Sequence, residues 1–172
     1  MYDLIVGDHP LLSNPPALFN FSDPIMDTSK LCNLLMKSIK DYNALGISAN
    51  QLGINTQVFA IKYNPYYICF NPRIVYESPE LAMGTEGCLS YPGLAVKVAR
   101  PYSIRARFQL PNGDTVTKNF EGGLARIFQH EMTHMRGHVF WKDANFLNKN
   151  KAVKDWKALE RKINNHRADL PA

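Results

Sequence analysis

The pentad His130-Glu131-Met132-Thr133-His134 constrains this chain more than any other feature, because two histidines four residues apart share a face only where the backbone is helical. The surrounding residues agree with a helix. After Gly122-Gly123, Leu124, Ile127, Phe128 and Met135 recur at helical spacing, and Gly137 offers a stop. On such a helix both imidazoles can reach one metal ion about 2.0–2.1 Å from each ring nitrogen, while Glu131, one step round, can reach a water beside it. Two ligands leave a site incomplete, so the fold must deliver a third to this helix from elsewhere in the chain.

Downstream, the familiar third ligands fit badly. A histidine six residues past the second would match one common pattern, and Gly137 occupies its glycine position, but the place of that histidine is held by Phe140. His138 shares the helix face only if the helix runs through Gly137, and reads as a backbone-proximal or surface side chain. Glu160, 26 residues past His134, lies at a workable distance for a carboxylate ligand, although its setting is that of a solvated ion-pair position in a basic helix. Upstream, Cys88 in Glu86-Gly87-Cys88-Leu89-Ser90 fits better. Gly84 and Gly87 free the backbone to turn tightly, and a thiolate drawn to two neutral imidazoles leaves a fourth position open to water. Cys32 and Cys69 sit in apolar runs and read as core residues. An odd set of three cysteines argues against a disulfide framework and for a reducing compartment.

At 172 residues the chain is expected to be one domain, 1–172, with a core that needs no disulfides. Its net charge of +5 contains no block of five like charges, which gives no reason to expect a nucleic-acid tail or sequence-specific nucleic-acid binding. Asp3 and Asp8 stand where a signal peptide would be basic, and no window approaches the roughly 18 apolar residues of a membrane span. The expectation is a soluble, cytoplasmic protein with no membrane partner.

Residues 1–27 hold four of the eleven prolines and read as an extended arm without a legible role. Leu31, Leu34, Leu35, Ile39 and Tyr42 predict a helix over 28–45, capped by Asp27 or Thr28 and ended by Gly46. Strands are predicted at 56–62, 66–70 and 73–77, divided by Asn64-Pro65 and Asn71-Pro72. Alternation at Ile104, Ala106, Phe108 and Leu110, a turn at Asn112-Gly113, and Val116, Lys118 and Phe120 predict a β-hairpin. Over 149–167, Val153, Trp156, Leu159 and Ile163 form an apolar stripe among Lys149, Lys151, Lys154, Lys157, Arg161 and Lys162. That basic amphipathic helix either docks its stripe on the domain or anchors an acidic partner such as RNA.

Three segments together resemble the peptide deformylase family. Gly46-Ile47-Ser48-Ala49-Asn50-Gln51 is similar to its first motif, Glu86 to Ser90 to its second, and Gln129 to His134 to its third, in the same order and spacing. Tyr91-Pro92-Gly93 and Val98-Ala99-Arg100-Pro101 add to the likeness, which covers about residues 43–140. Ala44 replaces a usual glycine, Ser48 a usual alanine, and Thr133 a usual aspartate between the glutamate and the second histidine. The last change leaves some neighbour of Thr133 without a counter-charge.

The resemblance implies removal of the formyl group from the N-terminal formyl-methionine of new polypeptides, with Cys88, His130 and His134 as metal ligands and Glu131 as the group that takes and returns a proton. It further implies that the Gln51 amide and the Leu89 N–H meet the developing oxyanion, and that Leu45, Gly46 and Ile47 bind the peptide as an added strand. Gly87, Gly123 and Ile127 are the remaining substrate-binding candidates. One divalent ion per chain is implied, Fe2+ in the cell, with Zn2+, Ni2+ or Co2+ also suited to these ligands. The basic helix at 149–167 would dock on the ribosome. The fold implied is α+β, antiparallel sheets around a central helix bearing the pentad, with an N-terminal helix and a C-terminal amphipathic helix outside. Two other readings stay open: a zinc endopeptidase with Glu160 as third ligand, and a catalytically silent metal-binding module associated with the ribosome.

Overall fold

The computed structural model describes residues 3–168, with side chains through residue 158. An arm leads from residue 3 to Asp27, broken by one helical turn, α1 (Pro10–Ser13). Helix α2 (Thr28–Asp41) starts where Asp27 accepts the Lys30 N–H at 2.9 Å and buries Leu31, Cys32, Leu35 and Ile39. It stops short of the predicted 45. Asn43 turns into the left-handed region at φ 49°, and the Ala44 N–H closes back on the Ile39 carbonyl at 2.9 Å, so the asparagine and not Gly46 ends the helix.

Strand β1 (Gly46–Ser48) follows, then a 3-10 turn (Ala49–Leu52), β2 (Val58–Ile61), β3 (Tyr67–Glu77), β4 (Leu81–Cys88), β5 (Tyr91–Pro101), β6 (Ser103–Gln109) and β7 (Thr115–Glu121). Helix α3 (Gly122–Met135) carries the pentad, a second 3-10 turn spans Phe140–Asp143, and α4 (Phe146–Ala168) closes the order. Strands β1-β2-β3-β6-β7 form one antiparallel sheet in that order, and β4 and β5 form a two-stranded antiparallel sheet. The fold is α+β, as expected.

Two local expectations change. The predicted strands 66–70 and 73–77 are one strand, β3, because the Asn71-Pro72 interruption is absorbed by a register shift between Phe70 and Arg73 rather than by a turn. Gly84 and Gly87 lie inside β4 and do not turn the chain; the turn falls at Leu89-Ser90. At Gly84 the Arg126 guanidinium lies over the backbone, so that a Cβ there would meet its central carbon at 2.7 Å and would displace it.

The core explains why α3 is held so firmly. Strand β2 alternates, sending Val58 and Ala60 toward α2 and Phe59 and Ile61 toward α3. Phe128 of α3 meets Phe59 and Phe120 at ring-centroid distances of 5.0 Å each. The β4–β5 sheet supplies a third cluster of Leu94, Val96 and Val98 with Val139, Phe140 and Ala152. Helix α4 starts three residues before the predicted 149 and docks through Ala152 and Trp156, whose indole N–H donates to the Pro92 carbonyl at 3.0 Å. The side chains of Leu159, Glu160, Arg161, Lys162 and Ile163 lie outside the described residues. Among the described residues, no helix is long and apolar enough to cross a membrane.

Candidate metal centre

The end of β4 brings Cys88 to one side of α3, and the helical turn presents His130 and His134 to it. One ligand atom from each of Cys88, His130 and His134 lies within 4.8 Å of the others, and Cys88 Sγ is 3.4 Å from His134 Nε2. A thiol sulfur and two imidazole nitrogens so grouped suit a divalent cation with bonds of about 2.0–2.3 Å. Glu131 Oε2 is buried without a hydrogen-bond partner among the described residues, as befits a carboxyl that would meet a group beyond the protein's own. The other downstream ligand positions read differently. Phe140 is buried against the His130 ring at 5.1 Å, and His138 Nε2 pairs with Asp143 Oδ1 at 3.1 Å.

Glu86, two residues before the ligand cysteine, organises the other side of His130. Its Oε2 lies 3.1 Å from His130 Nδ1, so the ring donates there and keeps Nε2 free as a ligand. Arg100 holds both carboxylate oxygens, from Nε at 2.9 Å and NH2 at 2.8 Å, and Arg126 NH1 donates to Oε1 at 2.8 Å. Burial by itself would raise the Glu86 pKa, but the hydrogen bonds and charges of Arg100 and His130 outweigh it and hold the carboxyl at about 2. Arg100 in turn reaches Asp143 Oδ2 at 2.7 Å. Thr133, where the resemblance expected an aspartate, is buried and donates its hydroxyl to the His130 carbonyl at 2.6 Å, within its own helix.

Glu131 is fully buried, and burial, reinforced by the charge of Glu86, pushes its carboxyl up to about 8. Burial likewise lowers His134, with help from His130, to about 3, and raises the Cys88 thiol to about 12. The bare side chains are thus poised neutral, and a cation is what makes the thiolate favourable. Gln51 completes the group. Its Oε1 accepts from the Ser48 N–H and hydroxyl at 3.0 Å each, which aims Nε2 at Ser90 Oγ, 3.1 Å away, and Cys88 Sγ, 3.4 Å away.

A cavity of about 580 Å³ opens on these groups. Gln51, Cys88, Leu89, His130 and Glu131 line it, as do Leu45, Gly46, Gly87 and Ile127. Gly123 does not line it. Ile47 is buried in the α2 cluster, so its side chain is core, and His134 sits one helical turn deeper than the cavity wall. Sequence reasoning named Glu86 and Arg100 only as parts of motifs and missed Arg126 and Asp143, because a buried ion-pair network has no local pattern to read.

Fold and site together define a metal-dependent hydrolase built on a helix with paired histidines and a cysteine from a neighbouring strand. Comparison with known proteins narrows this. The family model for polypeptide deformylase matches residues 1–150. The peptide deformylase of Thermotoga petrophila is 31% identical over 134 residues, 77% of this chain and 80% of that protein. A peptide deformylase-like protein of Rhizobium meliloti is 38% identical over 89 residues, about half of each chain at 51%. A crystal structure of a Synechococcus elongatus peptide deformylase in complex with actinonin superposes with a TM-score of 0.82 at 28% identity, covering 90% of this chain and 86% of that one. The chain belongs to the polypeptide deformylase family.

Proposed function

We infer that this protein is a metal-dependent deformylase that removes the formyl group from N-formylmethionyl peptides and releases formate. The observation that carries the reading is the Cys88, His130 and His134 ligand set lying beside the buried carboxyl of Glu131 at the wall of one cavity. When bound to Cys88, His130 and His134, a divalent ion supplies Lewis acidity, making water a nucleophile near neutral pH and polarising the formyl carbonyl.

The chain's own groups do the rest. Glu131, in reach of the attacking water, accepts its proton and delivers one to the departing amine nitrogen. The Gln51 amide is fixed by its own Oε1 contacts, so Nε2 is a preorganised donor to the developing oxyanion, joined by the Leu89 N–H that follows the ligand cysteine. Strand β1 is the edge of its sheet. The Leu45 carbonyl accepts from the Lys62 N–H at 2.7 Å, so the backbone groups of the next residue, Gly46, point to the open edge. That edge supports binding of the peptide as an added strand by main-chain hydrogen bonds alone, with Leu45 and Ile47 flanking and Gly87 and Ile127 on the cavity wall, which leaves the residues after methionine unread. Gly123, at the start of the same helix and off the cavity wall, would meet only the more distant part of a bound peptide.

The same proposal includes Fe2+ as the ion in the cell, a ligand set that also suits Zn2+, Ni2+ and Co2+, a cytoplasmic location, and residues 1–172 working as one catalytic domain. Exposed Lys151, Lys154 and Lys157 on α4 support docking of that helix on the ribosome through its polyanionic RNA. The test is formate release from formyl-Met-Ala-Ser by anaerobically prepared, iron-loaded protein, beside Glu131→Ala and Cys88→Ala. Turnover lost in both variants is the expected result; bound metal without formate from the unaltered protein would overturn it.

A further inference from the structure

The arm that the sequence left without a role touches all three segments of the metal centre within eleven residues. The Ile5 N–H donates to the carbonyl of Gln51 at 2.8 Å, and the Gly7 N–H donates to the carbonyl of Ser90 at 2.8 Å. Gly7 has φ +78°, a conformation that side chains rarely adopt, so the arm turns there at a glycine. Helix α1 follows, with Leu12 fully buried. The Leu11 carbonyl accepts from Asn50 Nδ2 at 2.9 Å, and the same nitrogen donates to the carbonyl of His134 at 3.2 Å. The single Ser48 hydroxyl hydrogen is shared between Asn50 Oδ1 at 2.8 Å and Gln51 Oε1 at 3.0 Å, so this fully buried amide is held at its oxygen as well as at its nitrogen. Beyond α1, Asn14 and Pro15 lie so close to Gly137, just past the end of α3, that a Cβ there would sit 2.3 Å from the Asn14 carbonyl carbon.

Gln51, Cys88 and His134 are far apart in sequence, so their relative placement depends on non-covalent ties. Between the segments of the first two, Gln51 Nε2 reaches Cys88 Sγ at 3.4 Å and Ser90 Oγ at 3.1 Å, and the arm adds a bridge behind these, joining the backbone carbonyls of Gln51 and Ser90. Asn50 adds a further tie, from the arm to the backbone of a metal ligand. None of residues 3–15 lines the cavity. A displacement of about 1 Å in such a site can cost about 100-fold in rate, so a clamp remote from the cavity can act on turnover without touching substrate.

We propose that residues 5–15, acting with Asn50, are a positioning clamp that sets the Gln51 amide and His134 against Cys88. Asn50 is its central positioning residue. The inference rests on the deformylase reading for its kinetic consequence but not for its structural one.

Two variants test it. Asn50→Asp keeps the shape and the acceptor for Ser48 Oγ but cannot donate to the Leu11 and His134 carbonyls. Gly7→Ala adds a side chain with open space around it, so it strains only the arm's turn. The readouts are kcat and KM for formyl-Met-Ala-Ser, and the visible absorption of the Co2+-loaded protein, which reports ligand geometry without turnover. Asn50→Asp is expected to lower kcat about 10- to 100-fold with KM within about twofold, and to shift the Co2+ bands. Gly7→Ala is expected to lower kcat severalfold in the same sense, and it decides the matter if Asn50→Asp does not fold. Reduced thermal stability with kcat and Co2+ bands like those of the unaltered protein would leave the arm a mere cover and overturn the clamp. Absence of formate release from the unaltered protein would instead overturn the deformylase reading, and the Co2+ spectra would still judge the clamp.

Discussion

The Oε2 atom of Glu86 lies 3.1 Å from Nδ1 of His130, and the same carboxylate is gripped by Arg100 and Arg126. One acidic side chain therefore orients a metal ligand and pairs with two largely buried guanidiniums, of which Arg100 has a second partner in Asp143. Its replacement should separate these effects. Glu86→Gln keeps an acceptor but removes the charge, so metal affinity should fall about 10- to 100-fold. Stability should drop by about 3–5 kcal/mol, as when one partner of a buried ion pair is removed. Competition for Co2+ against a chelating dye and urea unfolding measure the two; affinity within twofold of the unaltered protein would show that the charge of Glu86 does not strengthen His130 as a ligand.

Gly46 is the residue at which the open strand edge meets the Glu131 carboxyl. A Cβ there would lie 2.6 Å from Glu131 Oε1 and 3.1 Å from Ile127 Cγ2. The nearer atom is the end of a flexible side chain, so Gly46→Ala should move the Glu131 carboxylate rather than the backbone. Formate release should fall at least about tenfold while metal content holds and stability changes by no more than about 1 kcal/mol. Full activity in this variant would mean that Glu131 has room to spare and is not held in position by the strand.

What could be read from the sequence follows the range of the interactions involved. Helix α3 and the β6–β7 hairpin were legible because 3.6-residue periodicity, Asn112-Gly113 and Gly137 are local signals. Strand β4 was not: Gly84 and Gly87 look like turn residues until Arg126, 42 positions later, is seen lying over Gly84. Strand β1 has only three residues, too few for a pattern. At the site, Cys88 and the pentad could be paired from ligand chemistry and motif spacing, whereas the grip of Arg100 and Arg126 on Glu86 needed the two sheets to be assembled around α3. The end of α2 was misplaced because an asparagine at φ 49° did the work expected of Gly46.

The two cysteines outside the centre should be poor nucleophiles. Burial raises the Cys69 thiol well above its usual range, with Lys118 only partly opposing, and burial also raises Cys32. Because the thiolate is the reactive form, a raised pKa means less of it at any given pH. In a Cys88→Ser background, native protein at pH 8 should react slowly with a thiol-specific chromogenic disulfide. The rate should climb about tenfold per pH unit below the pKa, and both thiols should react at once in denaturant. Rapid stoichiometric labelling of the native protein at pH 7 would contradict their burial.

Metal removal should abolish activity without unfolding the chain. The α2, α3 and β4–β5 clusters are held by apolar side chains such as Phe59, Phe128 and Val98, and their burial does not depend on an ion. A ligand that binds only the folded state adds about 2.7–4.1 kcal/mol at 100 to 1,000 times its dissociation constant. A chelator should therefore lower the melting temperature by several degrees, leave far-ultraviolet circular dichroism unchanged at 25 °C, and stop formate release. Activity should return on anaerobic addition of Fe2+, and also with Ni2+ or Co2+, because a thiolate with two imidazoles does not discriminate strongly among them. Unfolding on chelation at 25 °C would show that the ion carries the fold as well as the chemistry. Full activity after complete removal would dismiss Cys88, His130 and His134 as the working ligand set.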